Sequence, residues 1–161
     1  MNLEYFHLID RIADLNVGER TITVEANVPQ TSTIFEGHFP GYPLMPGVLL
    51  IEAMAQTSGW LLIALLKFER MPFLAAVKEA KMRTFIMPGE ALTIEARIAH
   101  EGSGFAVTEA KIMVGGQTKC NATLTFRHVP FPHPDLRSHM DAMATRIGFP
   151  TKAITQATPH G

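Results

Sequence analysis

With Cys120 as its only cysteine, the chain cannot close an internal disulfide, so the disulfide-stapled extracellular folds are excluded. Cys120 lies in TKCNATLTF, where apolar and polar residues alternate as in a strand, and it reads as a small buried side chain rather than a nucleophile. Charge of either sign is in short supply. The 14 Lys and Arg nearly balance the 15 Asp and Glu, and a net charge of -1 calls for neither nucleic acid nor an anionic membrane as partner. The opening residues MNLEYFHLID lack the basic start, apolar run and small-residue cleavage site of a secretory signal. A lone thiol without a signal predicts a reducing, cytoplasmic setting.

Hydrophobic residues are plentiful instead, at 47% of 161 residues, enough for one domain with a substantial core. The longest apolar stretch runs from Val48 to Leu66 (VLLIEAMAQTSGWLLIALL) and has nearly the length of a membrane span. Glu52, Gln56, Thr57 and Ser58 interrupt it, and a carboxylate at mid-bilayer depth is costly. A helix enclosed by protein is the better expectation.

Strand-like segments flank this helix. RIADLN and RTITVEANV precede it, separated by VGE, and PFLAAVKEAKM, ALTIEARIAHEG, GFAVTEAKIMV and QTKCNATLTFRHV follow. Pro88-Gly89, Gly102-Ser103-Gly104 and Gly115-Gly116 stand where turns are needed. A sheet must cover its apolar face, and a helix that is apolar nearly all round must be covered on every side. Both needs are met in an α+β hot-dog fold, in which an antiparallel sheet of about six strands wraps around one long central helix. Residues 1–129 make up this domain. Prolines 130, 132 and 134 stop the last strand, and 130–161 is expected to be a C-terminal tail with at most a short helix near Asp135 to Ile147. His128, His133 and His139 are spaced five and six apart without helical regularity or cysteine, so no metal site is expected, and no cofactor.

Glu52 is the sole ionisable residue between Met45 and Leu66, and its helical neighbours Val48, Leu49, Ala55 and Gln56 are not a solvated face. A carboxyl buried there favours its protonated form and can act as a proton donor, or it can be a structural group held by hydrogen bonds. Gln56, one turn on, either orients that carboxyl or fills a polar gap. His38 sits in FEGHFPGYPLMPG, whose three prolines and three glycines leave few conformations. Its imidazole suits a base near neutral pH, although a loop histidine is often exposed and inert. Gly47 follows Pro46 at the helix start, where free amides and the positive end of the dipole suit an oxyanion, or simply water. A base, an acid and an oxyanion hole together match removal of a proton α to a thioester carbonyl with expulsion of a β-hydroxyl.

The run GHFPGYPLMPGVLLIEAMAQ, Gly37 to Gln56, resembles the signature of FabZ-type 3-hydroxyacyl-acyl-carrier-protein dehydratases, hot-dog enzymes of fatty acid synthesis. The likeness continues through FLAAVKEAKMRTFIMPGE and more loosely to about residue 129. It implies that His38 and Glu52 are the catalytic pair and that Gly47 is the backbone donor to the thioester carbonyl. Gln56, Phe39 and Val48 are further substrate-binding candidates. A glutamate rather than an aspartate implies dehydration without isomerisation. The implied partner is an acyl carrier protein bearing a 3-hydroxyacyl chain. The implied assembly is a homodimer with shared active sites, often as a trimer of dimers. Lys78, Lys81 and Arg83, with Lys67 and Arg70 nearby in sequence, are candidates for docking the acidic carrier, and Leu50, Met54 and Phe85 for lining an acyl tunnel. The family's Leu-Pro-His-Arg segment is missing or replaced in MNLEYFHLIDRI, and the tail from Pro130 lies outside the family pattern. The competing readings are a hot-dog acyl thioesterase, which has no need of His38, and a non-catalytic acyl-carrier-binding protein.

Overall fold

Alternation of inward and outward side chains, interrupted by register shifts in four of the five pairings, builds the sheet. The computed structural model describes residues 1–152. Its strands are β1 (Arg11–Asn16), β2 (Thr21–Asn27), β3 (Met71–Met82), β4 (Ala91–Gly102), β5 (Phe105–Val114) and β6 (Gln117–Val129). On β6, Cys120, Ala122, Leu124 and Phe126 all point inward and are buried, as Ala106, Thr108, Ala110 and Ile112 are on β5. Burial pushes the Cys120 thiol up to about 11, which keeps it protonated and inert.

All pairings are antiparallel, and the strand order is β1-β2-β4-β5-β6-β3. The link from β2 to β3 contains two helices, α1 (Thr33–Gly37) and α2 (Gly47–Leu65), and α2 carries the chain to the far edge of the sheet. The sheet curls around α2, which packs on β2 through β6, giving the hot-dog arrangement. By length and composition α2 could cross a membrane, yet 67% of its most apolar stretch is buried within the protein. Gly89 turns the chain into β4 with φ +83, where a Cβ would collide with the Gln30 side chain.

Two segments are more ordered than loop and appended tail, and the short helix expected near Asp135 to Ile147 is present. The FEG of the His38 segment closes α1 rather than a loop, because Ser32 accepts the Ile34 amide at 3.1 Å as N-cap. Glu4 reinforces this start, accepting from Ser32 Oγ at 2.6 Å and from the Thr33 amide at 2.9 Å. Beyond β6, helix α3 (Pro134–Arg146) is docked on the core. Ala144, Ile147 and Phe149 are buried, and the Ile12 amide donates to the Ile147 carbonyl at 2.9 Å. Phe149 meets Trp60 at 5.6 Å and Phe68 at 5.5 Å, while Arg137 lies over the Phe68 ring and donates to the Phe68 carbonyl at 2.6 Å.

Inside the core, Thr108 Oγ1 donates to Ser58 Oγ at 2.8 Å, and both residues are fully buried. Thr108→Val leaves Ser58 short of its partner and is expected to destabilise the fold by about 1–3 kcal/mol in urea unfolding. Adding Ser58→Ala should recover most of that loss, and a strictly additive double mutant would rule the coupling out. At the surface, the Ser32 hydroxyl first, and then the backbone donors, hold the Glu4 carboxyl down from 4.5 to about 2. Its stabilising contribution is therefore complete above about pH 4.5 and is lost as pH falls toward 2. Glu4→Gln should lower the melting temperature above that window and flatten its acid limb within it, whereas parallel acid limbs would count against this role.

Candidate active site

The start of α2 is bare of side-chain capping. Pro46 is its N-cap, and the Pro46 carbonyl accepts the Leu49 and Leu50 amides at 3.0 and 3.2 Å. The amides of Gly47 and Val48 precede the helix's own hydrogen bonds, so they are the donors available at its positive end. A Cβ added to Gly47 would make only ordinary contact with Met82, at 3.7 Å. Packing within the chain therefore does not demand glycine there.

His38 caps the C-terminus of α1, and its segment is clasped at both ends. The His38 carbonyl accepts the Leu44 amide at 2.9 Å, and His38 Nδ1 lies 3.0 Å from the Leu44 carbonyl. A carbonyl can only accept, so Nδ1 carries the proton and Nε2 keeps the lone pair of the neutral ring. Phe39 is half exposed and stacks on the His38 ring at 4.1 Å. Between His38 and Leu44, Phe39 and Tyr42 exchange two backbone hydrogen bonds, of 3.1 and 2.9 Å, which tightens the loop.

Glu52 is half-buried in the single chain rather than enclosed as its apolar neighbours suggested. The stripe of α2 holding Val48, Ile51, Glu52 and Gln56 is the part that the chain's own sheet leaves open, and Val48 is 73% exposed. Gln56 forks at this point: its Nε2 donates to Glu52 Oε1 at 3.2 Å and to the Phe6 carbonyl at 2.9 Å, and its Oε1 accepts the Leu8 amide at 3.4 Å. The N-terminal segment thereby fixes the amide that fixes the carboxylate.

From Glu52 a groove of about 350 Å³ runs along α2 past Ala55, Gly59, Trp60 and Ile63. Its opposite wall is the start of β3, Met71 to Leu74, with Phe126 of β6. The third side comes from Tyr5, Phe6 and His7 together with His139, Met140 and Met143 of α3. Burial, and then the nearby Arg146 and His139, push the His7 imidazole below its usual value, so that it stays neutral near pH 7. Residues 38–48 do not reach this groove, so one chain does not bring His38 and Glu52 into a common cavity. A larger hollow of about 700 Å³ lies on the outer face of the sheet, among Thr21, Glu95, Arg97, Glu109 and Lys111. Its charges pair across strands, as Lys111 does with Glu95 at 3.2 Å, and it is a solvated face that includes neither His38 nor Glu52 in its lining.

The residues expected to line a tunnel fall elsewhere. Leu50 and Met54 belong to the buried core and Phe85 is 66% exposed. The α2 side of the groove repeats at helical spacing from Glu52 itself, at 52, 55, 56, 59, 60 and 63, a signal present in the sequence. Among the basic candidates, Lys78, Lys81 and Arg83 are exposed, and Arg83 donates to Asn121 at 3.0 Å. Lys67 and Arg70 lie at the other end of β3, roughly 25–35 Å away along the strand, so sequence proximity does not make one patch. His128, His133 and His139 are parted too: His128 Nε2 is buried on β6, His133 caps α3 and His139 faces the groove.

A FabA-like domain model matches residues 1–123. The 3-hydroxyacyl-[acyl-carrier-protein] dehydratase FabZ of Lactiplantibacillus plantarum is 40% identical over 119 residues, spanning 73% of this chain and 80% of that protein. The enzyme of the same name from Symbiobacterium thermophilum is 35% identical over 131 residues, 81% of this chain and 92% of that one. Among solved structures, a conserved protein of Pseudomonas aeruginosa is similar at a TM-score of 0.61 and 21% identity, over 78% of this chain and 91% of that one. A hypothetical thioesterase of Streptococcus pneumoniae, solved with coenzyme A, is similar at 0.60 and 19%, over 74% and 85%. At such identities these two share the fold alone. The family match over three quarters of the sequence is decisive, and the chain belongs to the FabA-like family, among its FabZ-type 3-hydroxyacyl-[acyl-carrier-protein] dehydratases.

Proposed function

We propose that this protein removes water from 3-hydroxyacyl-acyl-carrier-protein thioesters to give trans-2-enoyl thioesters in fatty acid biosynthesis. The observation that carries this reading is the 40% identity to a FabZ dehydratase over 119 residues, alongside a family match over residues 1–123 that includes the His38-to-Gln56 run. Nε2 of His38, left with its lone pair by the Leu44 carbonyl, takes the C2 proton. The Gly47 and Val48 amides receive the negative charge that develops on the thioester oxygen. Glu52, held by Gln56, protonates the β-hydroxyl, which leaves as water. Transfer of a proton from His38 to Glu52 then restores both groups.

A second copy of the chain completes the site in this proposal. Two features support it: the groove lined by Glu52 takes nothing from residues 38–48, and β3 is an edge strand with exposed apolar side chains. Phe73, Val77 and Met82 along it are 56%, 42% and 42% exposed, a surface suited to pairing with another chain. The homodimer would set His38 of one subunit against Glu52 of the other, and three dimers would make the hexamer. Phe39 and Val48, exposed beside His38 and Gly47, would contact the substrate there. Lys78, Lys81 and Arg83 would meet the acidic carrier, and the setting is the cytoplasm, in keeping with a buried, reduced Cys120. Thioester hydrolysis shares the fold but gives no role to a tautomer-fixed His38.

Incubation with a 3-hydroxyacyl thioester should yield enoyl product, and release of free thiol instead would sink the dehydratase reading. His38→Ala and Glu52→Ala are each expected to lower turnover by roughly 10²–10⁴-fold with the oligomer intact, and near-normal rates in either would remove that residue from the mechanism. Equal mixtures of the two mutants should regain partial activity, because half of the shared sites in a mixed dimer hold both native residues. Gln56→Leu should reduce kcat by about 10²-fold while KM changes little, and the reverse pattern would make Gln56 a binding residue instead.

A further inference from the structure

We propose that helix α3 is the wall that measures the acyl chain, with Met140 and Met143 setting the length the groove accepts. This rests on the proposed function only in taking a fatty acyl chain as the occupant. The family match ends at residue 123, so α3 is an addition to the matched domain, and it forms one side of the groove that starts at Glu52.

The groove's polar groups gather at one end. Glu52 and Gln56 stand where the thioester would react, and from there Gly59, Trp60 and Ile63 continue the same face of α2. From Glu52 to Ile63 that face runs about 16 Å. Gly59, which carries no side chain, keeps the middle of the path open. Along this path the wall facing α2 on one side is β3, a strand of the sheet and hard to displace. The remaining side is α3, whose Met140 and Met143 reach the groove. An unbranched thioether side chain conforms to an apolar ligand better than a branched one. A volume of about 350 Å³ is at the small end for ligand pockets, so a change of one side chain alters what fits.

α3 is a fixed wall rather than a lid. Its end is locked by the Ile12–Ile147 backbone bond, and Phe149 sits among Trp60 and Phe68. Arg137 ties its first half to the Phe68 carbonyl, and Arg146 donates to the Ile9 carbonyl at 3.3 Å. Burial first, and then Arg146, keep His7 neutral where it lines the groove, as an alkyl chain requires.

Trp60, the chain's single tryptophan, lines the groove and reports its occupancy without any turnover. Saturated acyl-pantetheine thioesters of increasing length, titrated into the wild-type oligomer, should change Trp60 emission with affinity rising about four-fold per methylene up to a limiting length. Met143→Ala and Met140→Ala should move that limit to longer chains, and Met143→Trp, which adds a second fluorophore and is therefore read by competition between chain lengths in turnover, should move it to shorter ones. In activity assays the alanine variants should show a lower ratio of KM for long substrates to KM for short ones than the wild type. Emission that responds to no thioester would overturn the groove as the acyl site. A response whose limit is the same in wild type and in folded alanine variants would overturn α3 as the measure. A wild type that binds thioesters with a length limit yet dehydrates none would reject the proposed reaction and leave this inference standing.

Discussion

A helix whose side chains are apolar on almost every face cannot rest on a sheet, because its outer side would still meet water. It has to be enclosed. That requirement accounts for the curl of the sheet, for β2 through β6 all packing against α2, and for the crossing that places β3 beside β6 rather than beside β2. The enclosure is incomplete on one stripe, at Val48, Ile51, Glu52 and Gln56, and that is where the helix carries its one carboxylate. A polar group in a buried helix is costly unless something satisfies it, and here the Gln56 amide does so from the next turn.

Gln56 binds more than the carboxylate. By holding the Phe6 carbonyl and the Leu8 amide it ties the N-terminal segment across the helix, and Glu4 ties the same segment to the start of α1. α1 ends at His38, so the residues proposed as acid and base are both positioned by hydrogen bonds to a stretch of fewer than ten residues. The family match includes this stretch although the Leu-Pro-His-Arg sequence is absent from it, and MNLEYFHL supplies wall, tether and cap at once. Its aromatic residues Tyr5 and Phe6 remain largely exposed because their place is at the groove, not in the core.

The strands were legible in the sequence because alternation is a local property, and the turn residues between them mark their ends almost to the residue. The helix was legible from its length, and Glu52 and His38 from their isolation among apolar and conformationally restricted neighbours. Contacts between distant residues were not. Nothing in PFPHPDLRSHMDAMATRIGFP announces that Arg137 will find the Phe68 carbonyl, or that Ile147 will bond to Ile12. With modest amphipathicity, α3 looks in isolation like a marginal helix, and only the cluster of Trp60, Phe68 and Phe149 gives it a place. The depth of Glu52 was misjudged for a related reason. Apolar neighbours say that a residue is on a buried helix but not which of its faces the sheet will leave open.

That open face links folding to assembly. The chain alone exposes Val48 on α2, Phe73 and Val77 on the β3 edge and Phe85 just beyond it, and each exposed apolar group favours association. In the proposed dimer, covering this surface and completing the site are the same event, since the partner that shields the stripe also supplies the imidazole facing Glu52. The Gly47 and Val48 amides would be desolvated at that moment, which strengthens their attraction for an oxyanion. A subunit that folds but fails to pair would keep its carboxylate, its groove and its wall, and would have no base opposite them.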